Sequence, residues 1–156
     1  MGWRRTASTV LVLGCWLFAT PDVLAQSASA VPEETSRLIL VRSTLVALDH
    51  ANRTGNYGVL RDLGSPRFAA ANTEARLAAI FSGLREEGID MRAAAVSEIR
   101  FSSPPFVDKN NLLRLAGVVP ISPQPVRFDL AFEIAGGEWR LFGIGVNPVK
   151  TSGPPN

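Results

Sequence analysis

Chemistry in this sequence starts with one imidazole. His50 is the single histidine among 156 residues, and imidazole is the side chain best matched to general acid–base work near neutral pH. Asp49 precedes it, but adjacent helical residues point about 100° apart, so adjacency alone makes no dyad. The alternative for His50 is an exposed ring near a helix end, stabilised by the helix dipole. Tyr57, Arg61 and Asp62 follow, with Tyr57 and Arg61 four apart and able to share a helix face. His50 is therefore the candidate catalytic residue that side-chain chemistry alone offers to a small acid–base enzyme. Read by themselves, Tyr57, Arg61 and Asp62 are a half-buried tyrosine anchor beside solvated charges.

Other chemistries lack their residues. There is no Gly-x-Ser-x-Gly, no phosphate loop and no Gly-x-Gly-x-x-Gly. One cysteine and one histidine exclude a disulfide framework and a Cys/His zinc site. Glu86, Glu87 and Asp90 read as a solvated helix edge, not a metal cage. No metal and no cofactor are expected. Lys+Arg number 16 against 14 Asp+Glu, and a net charge of +2 argues against a nucleic-acid partner. What remains is apolar: Tyr57, Phe68, Phe132 and Trp139 are candidate ligand-binding residues if they line a pocket, and plain core if they do not.

These residues need elements to position them. Pro32-Glu33-Glu34 opens a helix, and Leu38, Val41, Leu45 and Leu48 recur at three- and four-residue spacing, with Ile39 and Val46 widening the stripe. Gly55 should stop it. A short helix is expected over Asn56–Leu63, ended by Gly64-Ser65-Pro66, with Phe68 as an anchor. A third runs from the N-cap Thr73 through Leu77, Ile80, Phe81 and Leu84 to Gly88.

After Gly88 the period becomes two. Strands are expected at about Ala94–Phe101, Leu112–Val119, Val126–Ala135 and Glu138–Val146, and a short extra strand near Ile89–Met91 is conceivable. Gly136-Gly137 makes a two-residue hairpin, which sets Ile134 opposite Trp139, Glu133 opposite Arg140 and Phe132 opposite Leu141. Continued alternation places Phe142, Ile144 and Val146 on the second face, beside Arg127, Asp129, Glu133 and Arg140. Phe142 and Ile144 are the candidate interface residues of a homodimer through that face. The competing reading covers the face with the Pro-rich loops Ser102–Pro105 and Pro120–Pro125. Gly143 and Gly145 in one strand point to a strong bend.

The chain begins with an address. Arg4-Arg5, a short apolar run over Ala7–Ala19, the break Thr20-Pro21-Asp22, and small residues at Val23 and Ala25 read as an export signal cleaved after Ala25. The run is too short to span a bilayer comfortably. Cys15 loosely fits a lipidation site, but the apolar run continues past it. Residues 26–31 read as a loose leader, 32–148 as one domain and 149–156 as a loose tail. Without the signal the chain is nearly neutral and free of cysteine, with no segment left to span a membrane, which suits a periplasmic or secreted protein.

The order of a long helix, two shorter helices and a run of antiparallel strands resembles the NTF2-like (ketosteroid-isomerase-like) superfamily. The residues carrying it are Leu38–Asn52, Asn56–Leu63, Thr73–Leu84, Phe128–Phe132 and Trp139–Phe142. The chain is also similar to small exported alphaproteobacterial proteins of unassigned function. The resemblance implies an α+β fold in which three N-terminal helices pack on a curved antiparallel sheet of four or more strands, wrapped as a cone. It also implies a cavity-prone interior used by enzymes and non-enzymes alike. The leading expectation is a non-catalytic exported module that binds a small apolar ligand or an envelope protein. The alternatives are the homodimer and the acid–base enzyme, for which the resemblance implies Tyr57 and Asp62 as further catalytic candidates beside His50, aimed at a ligand from the open end of the cone.

Overall fold

In the computed structural model, which describes Ala30–Val149, helices come first and strands follow. The expected export signal with Cys15, most of the leader, and the tail from 150 onward lie outside the described residues. The long helix α1 covers Glu34–Thr54. Val41, Leu45 and Leu48 are fully buried, and Thr44, Ala47 and Ala51 widen the buried face as the spacing predicts. Ile39 does not: it stands 59% exposed. Gly55 closes α1 at φ +75°, its N–H donating to the Ala51 carbonyl at 2.9 Å.

Four short helices follow: α2 Gly58–Leu63, α3 Pro66–Ala71, α4 Glu74–Ile80 and α5 Ser82–Glu86. The expected count of three is corrected at two places. Gly64-Ser65-Pro66 ends one helix and also starts the next. Ser65 caps α3 by accepting the Phe68 N–H at 3.2 Å, and Pro66 occupies the first turn, where a missing N–H costs nothing. The predicted third helix breaks at Phe81, whose ring is buried while its backbone (φ −99°, ψ 14°) leaves the helical region. Thr73 caps α4 as expected, and Gly88 beyond α5 has φ +63°.

Residues 91–95 hold the largest departure. The segment expected to enter a strand at Ala94 forms a 3-10 helix over Met91–Ala95, and no strand forms at Ile89–Met91. Its ends are held by side chains of α1, as described below.

The sheet is antiparallel and open. β1 (Arg100–Phe101) and β2 (Phe106–Val107) both pair with β3 (Leu113–Val119), so they are one edge strand interrupted by Ser102–Pro105. β3 pairs with β4 (Val126–Ala135), and β4 with β5 (Glu138–Pro148). Beyond β5, Gly64 forms a bridge to Leu141, and the Ser65 N–H donates to the Leu141 carbonyl at 2.8 Å, so the junction of α2 and α3 covers part of that edge. The hairpin turn is as expected, with Gly136 at φ +64° and Gly137 at φ +83°; Ile134–Trp139, Glu133–Arg140 and Phe132–Leu141 are opposed.

Alternation then fails by one residue. Ala131 opposes Gly143, whereas Phe132 opposes Leu141, so Phe142 is the extra residue of a β-bulge. A one-residue slip exchanges the faces of everything beyond it. Ile144 and Val146 therefore lie opposite Leu130 and Phe128 on the core side, correcting the expectation that placed them outside. The core side collects Leu113, Leu115, Val126, Phe128, Leu130, Phe132 and Leu141, with Phe101 meeting Phe128 edge-on at 6.3 Å. The outer face keeps Arg114, Arg127, Asp129, Glu133 and Arg140, with bare backbone at Gly143 and Gly145. Pro120–Pro125 reaches toward the helices, where Gln124 donates to Glu87 at 2.7 Å.

Candidate functional site

The polar residues of α1 face one neighbour. Arg42 and Asp49 are seven apart, two turns, and so lie on one face of the helix. The Asp49 carboxylate accepts the Met91 N–H through Oδ1 at 3.0 Å. Arg42 Nη1 donates to the carbonyls of Ala94 and Ala95 at 2.8 and 2.6 Å. An anion thus sits at the N-terminal end of the 3-10 helix and a cation at its C-terminal end, which satisfies its orphan donors and acceptors. Asp90 adds its own cap, accepting the Arg92 N–H at 3.0 Å. This two-point clamp makes the segment helical where alternation predicts a strand.

A cleft of about 250 Å³ opens beside the clamp, between the C-terminal half of α1, α5 and the chain at Gly88–Asp90. Asp49, Asn52 and Arg53 supply one wall, and Leu84, Arg85 and Ile89 the other. Two buried polar atoms belong to its lining residues. Asp49 is 2% exposed, and its Oδ2 has no hydrogen-bond partner among the described residues; Asn52 Nδ2 has none either. Such groups are rare in folded proteins, because burying one unpaired costs on the order of 1–3 kcal/mol. One is an acceptor and the other a donor, one helical turn apart.

Asn52 is held from its other side. The Tyr57 hydroxyl donates to Asn52 Oδ1 at 2.5 Å and receives Arg85 Nη1 at 2.5 Å, while the same Arg85 nitrogen donates to the Ala78 carbonyl at 2.9 Å. The Arg85 guanidinium also lies 5.9 Å from the Tyr57 ring centre. At the rim, Asp90 pairs with Arg92 at 2.5 Å, and that hydrogen bond holds its carboxyl down at about 2, below the usual carboxylate range.

The expected catalytic trio is not assembled. Tyr57 is buried, but its hydroxyl is committed to Asn52 and Arg85. His50 is exposed and Asp62 is exposed; the Asp62 carbonyl receives the Arg140 guanidinium. Of the aromatic ligand-binding candidates, Phe68 and Phe132 are core residues at 2% exposure and Trp139 packs, partly buried, against the core. None of the three lines this cleft, nor a second, shallower one of about 210 Å³ around Arg61, Ser65 and Arg140. Of the interface candidates, Ile144 packs on the core through the bulge. Phe142 stays outside beneath the Arg67 guanidinium at 4.6 Å, and Arg67 pairs with Glu133 at 2.5 Å.

The polar wall was hidden from sequence reasoning. The sequence offers Asp49 only as a neighbour of His50 and Asn52 only as the end of the first helix, and it singles out Arg85 by no signal. The available signal was Asp49 itself, a carboxylate one residue from Leu48 on a stripe that must be buried.

The chain thus presents an α+β domain with a polar cleft along its longest helix. Comparison with protein-family models, curated proteins and solved structures returns no match. Among the described residues no group of three or more His, Cys, Asp or Glu is placed to hold a metal ion. No helix among them is long and apolar enough to cross a membrane.

Proposed function

We propose that this chain is a non-catalytic binding module of the exported, NTF2-like kind, and that its ligand is a small polar molecule held in the α1–α5 cleft. One observation carries this reading: a buried acceptor, Asp49 Oδ2, and a buried donor, Asn52 Nδ2, belong to one cleft and lack partners among the described residues. A bound molecule offering the complementary groups offsets both desolvation costs at once. At about 250 Å³ the cleft is below the range that takes drug-sized ligands, so the occupant is a small metabolite or the end of a larger chain. This replaces the apolar ligand suggested by the aromatic residues, because none of those rings lines the cleft and Phe68 and Phe132 belong to the core. The acid–base reading is weakened because His50 and Asp62 are exposed while the Tyr57 hydroxyl is committed to Asn52 and Arg85, so the three share no hydrogen-bonded set among the described residues. The NTF2-like assignment rests on the helix-then-sheet order and on a bulged, glycine-bearing last strand suited to curvature.

The test is a ligand-observed NMR screen of polar and apolar fragments at millimolar concentration, run on the full-length protein and on Asn52→Leu. The expected result is a set of polar hits whose saturation transfer disappears in the variant. Hits that are apolar, or that bind the variant equally well, overturn the proposal.

A further inference from the structure

Resting on the reading of the α1–α5 cleft as a ligand site, we infer the class of its ligand: a small zwitterion carrying an ammonium and a carboxylate, that is, an α-amino acid or an amino-acid terminus with a small apolar side chain.

The ammonium follows from Asp49. A buried carboxylate needs an opposite charge or several hydrogen bonds, and Asp49 has one backbone N–H on one oxygen. The cations of the cleft do not supply the rest. Neither Arg53 nor Arg85 forms an ion pair with Asp49, and Arg85 is committed to Tyr57 and the Ala78 carbonyl. Arg42, on the same helix face, is committed to Ala94 and Ala95. A hydroxyl or amide would satisfy the lone pair but leave the charge uncompensated; an ammonium does both.

The carboxylate follows from the opposite side. Asn52 Nδ2 donates one turn from Asp49, and the Arg53 guanidinium stands exposed on the same wall, in the last turn of α1. A carboxylate there answers both the amide donor and the cation. The two requirements lie within a single helical turn, so one small molecule can meet both. Leu84 and Ile89 on the facing wall are apolar, and they select a short aliphatic substituent over a charged one. Asp90 does not compete for the ammonium because it is paired with Arg92.

The experiment is a titration of ¹⁵N-labelled protein with four probes: L-alanine, ethylamine, propionate and glycerol. The reporters are the Met91 backbone amide, which shares the Asp49 carboxylate, and the Asn52 side-chain amide. L-alanine is expected to shift both. Ethylamine should move Met91 with affinity at least about tenfold weaker, and propionate and glycerol neither. Asp49→Asn should abolish the Met91 response. Arg53→Ala, at an exposed position in the last turn of α1, should bring L-alanine down toward the ethylamine value. Propionate or glycerol binding as well as L-alanine overturns the zwitterion while leaving the cleft as a ligand site. No response at either reporter to L-alanine overturns the inference, and the fragment screen then decides the cleft independently.

Discussion

Asp49 ties α1 to the 3-10 helix through one of its oxygens. Oδ1 anchors Met91, so Asp49→Ala leaves a buried N–H unpaired and should lower stability by about 1–3 kcal/mol in urea denaturation. Arg42→Ala frees two carbonyls at the other end of the 3-10 helix and should cost about 1–2 kcal/mol. Because both hold one segment, the double variant should lose less than the sum; additivity would mean that the two ends are held independently. Glycines divide in the same concrete way. A Cβ at Gly117 would collide with the Arg100 carbonyl oxygen and come within 2.7 Å of Phe128 Cζ, whereas one at Gly143 would rest 3.6 Å from Ala131 Cβ. Gly117→Ala is therefore expected to destabilise by about 2–3 kcal/mol, and Gly143→Ala to be neutral or to stabilise by up to about 1 kcal/mol. Thermal melts of the two variants read this directly. Equal effects would refute the close approach of β1 to β3 at Gly117.

At the scale of elements, the bulge decides which side of β5 is core. Deleting Phe142 removes the extra residue and leaves Ile144 and Val146 facing inward, so the variant should fold with a loss of about 1–2 kcal/mol. Deleting Gly145 instead turns Val146 toward the charged face and should cost at least about 3 kcal/mol or abolish folding. Near-equal urea midpoints for the two deletions would contradict the register. This element also marks where the sequence stopped being legible. The extent of β4, the Gly136-Gly137 turn and the Glu133–Arg140 pairing follow from alternation and turn chemistry, which are local. The bulge follows only in part: Gly143 and Gly145 signal a bend without saying which residue is extra, and that residue is identified only by Phe142 lying beneath Arg67. The 3-10 helix was illegible for a related reason: Met91–Ala95 owes its form to Arg42 and Asp49, more than 40 residues away. The cleft inherits that obscurity, since its wall is built from the residues that make the long-range contact.

Across the whole molecule, charge is spread in small pairs whose protonation sets the acid limit of stability. Burial of the Glu133 carboxyl works to raise its pKa, but hydrogen bonds from Arg67 and Ser65 and the charge of Arg67 outweigh it, so the net shift is downward from 4.5. A lowered folded pKa means that the unfolded chain binds protons first. The stabilisation from Glu133 is therefore complete above about pH 4.5 and fades as pH falls through the folded value. Asp90 follows the same sign between 3.8 and about 2, and Glu98, lowered by Arg100, adds to it. Stability measured from pH 7 to pH 2 should hold to about pH 4.5 and then decline. Glu133→Gln should flatten the first part of that decline. About 1 M salt should erase the exposed Asp90 and Glu98 parts more than the Glu133 part; an acid limb indifferent to Glu133→Gln would remove that assignment. The ends of the sheet have a consequence of another kind. One flank offers only the two-residue runs β1 and β2 on either side of a proline-bearing kink, and the other is strapped at Leu141 by Gly64 and Ser65. The β1–β2 flank therefore gives a passing chain too little continuous backbone to lengthen the sheet, so growth by an added strand is confined to the stretch of β5 beyond the strap at Leu141.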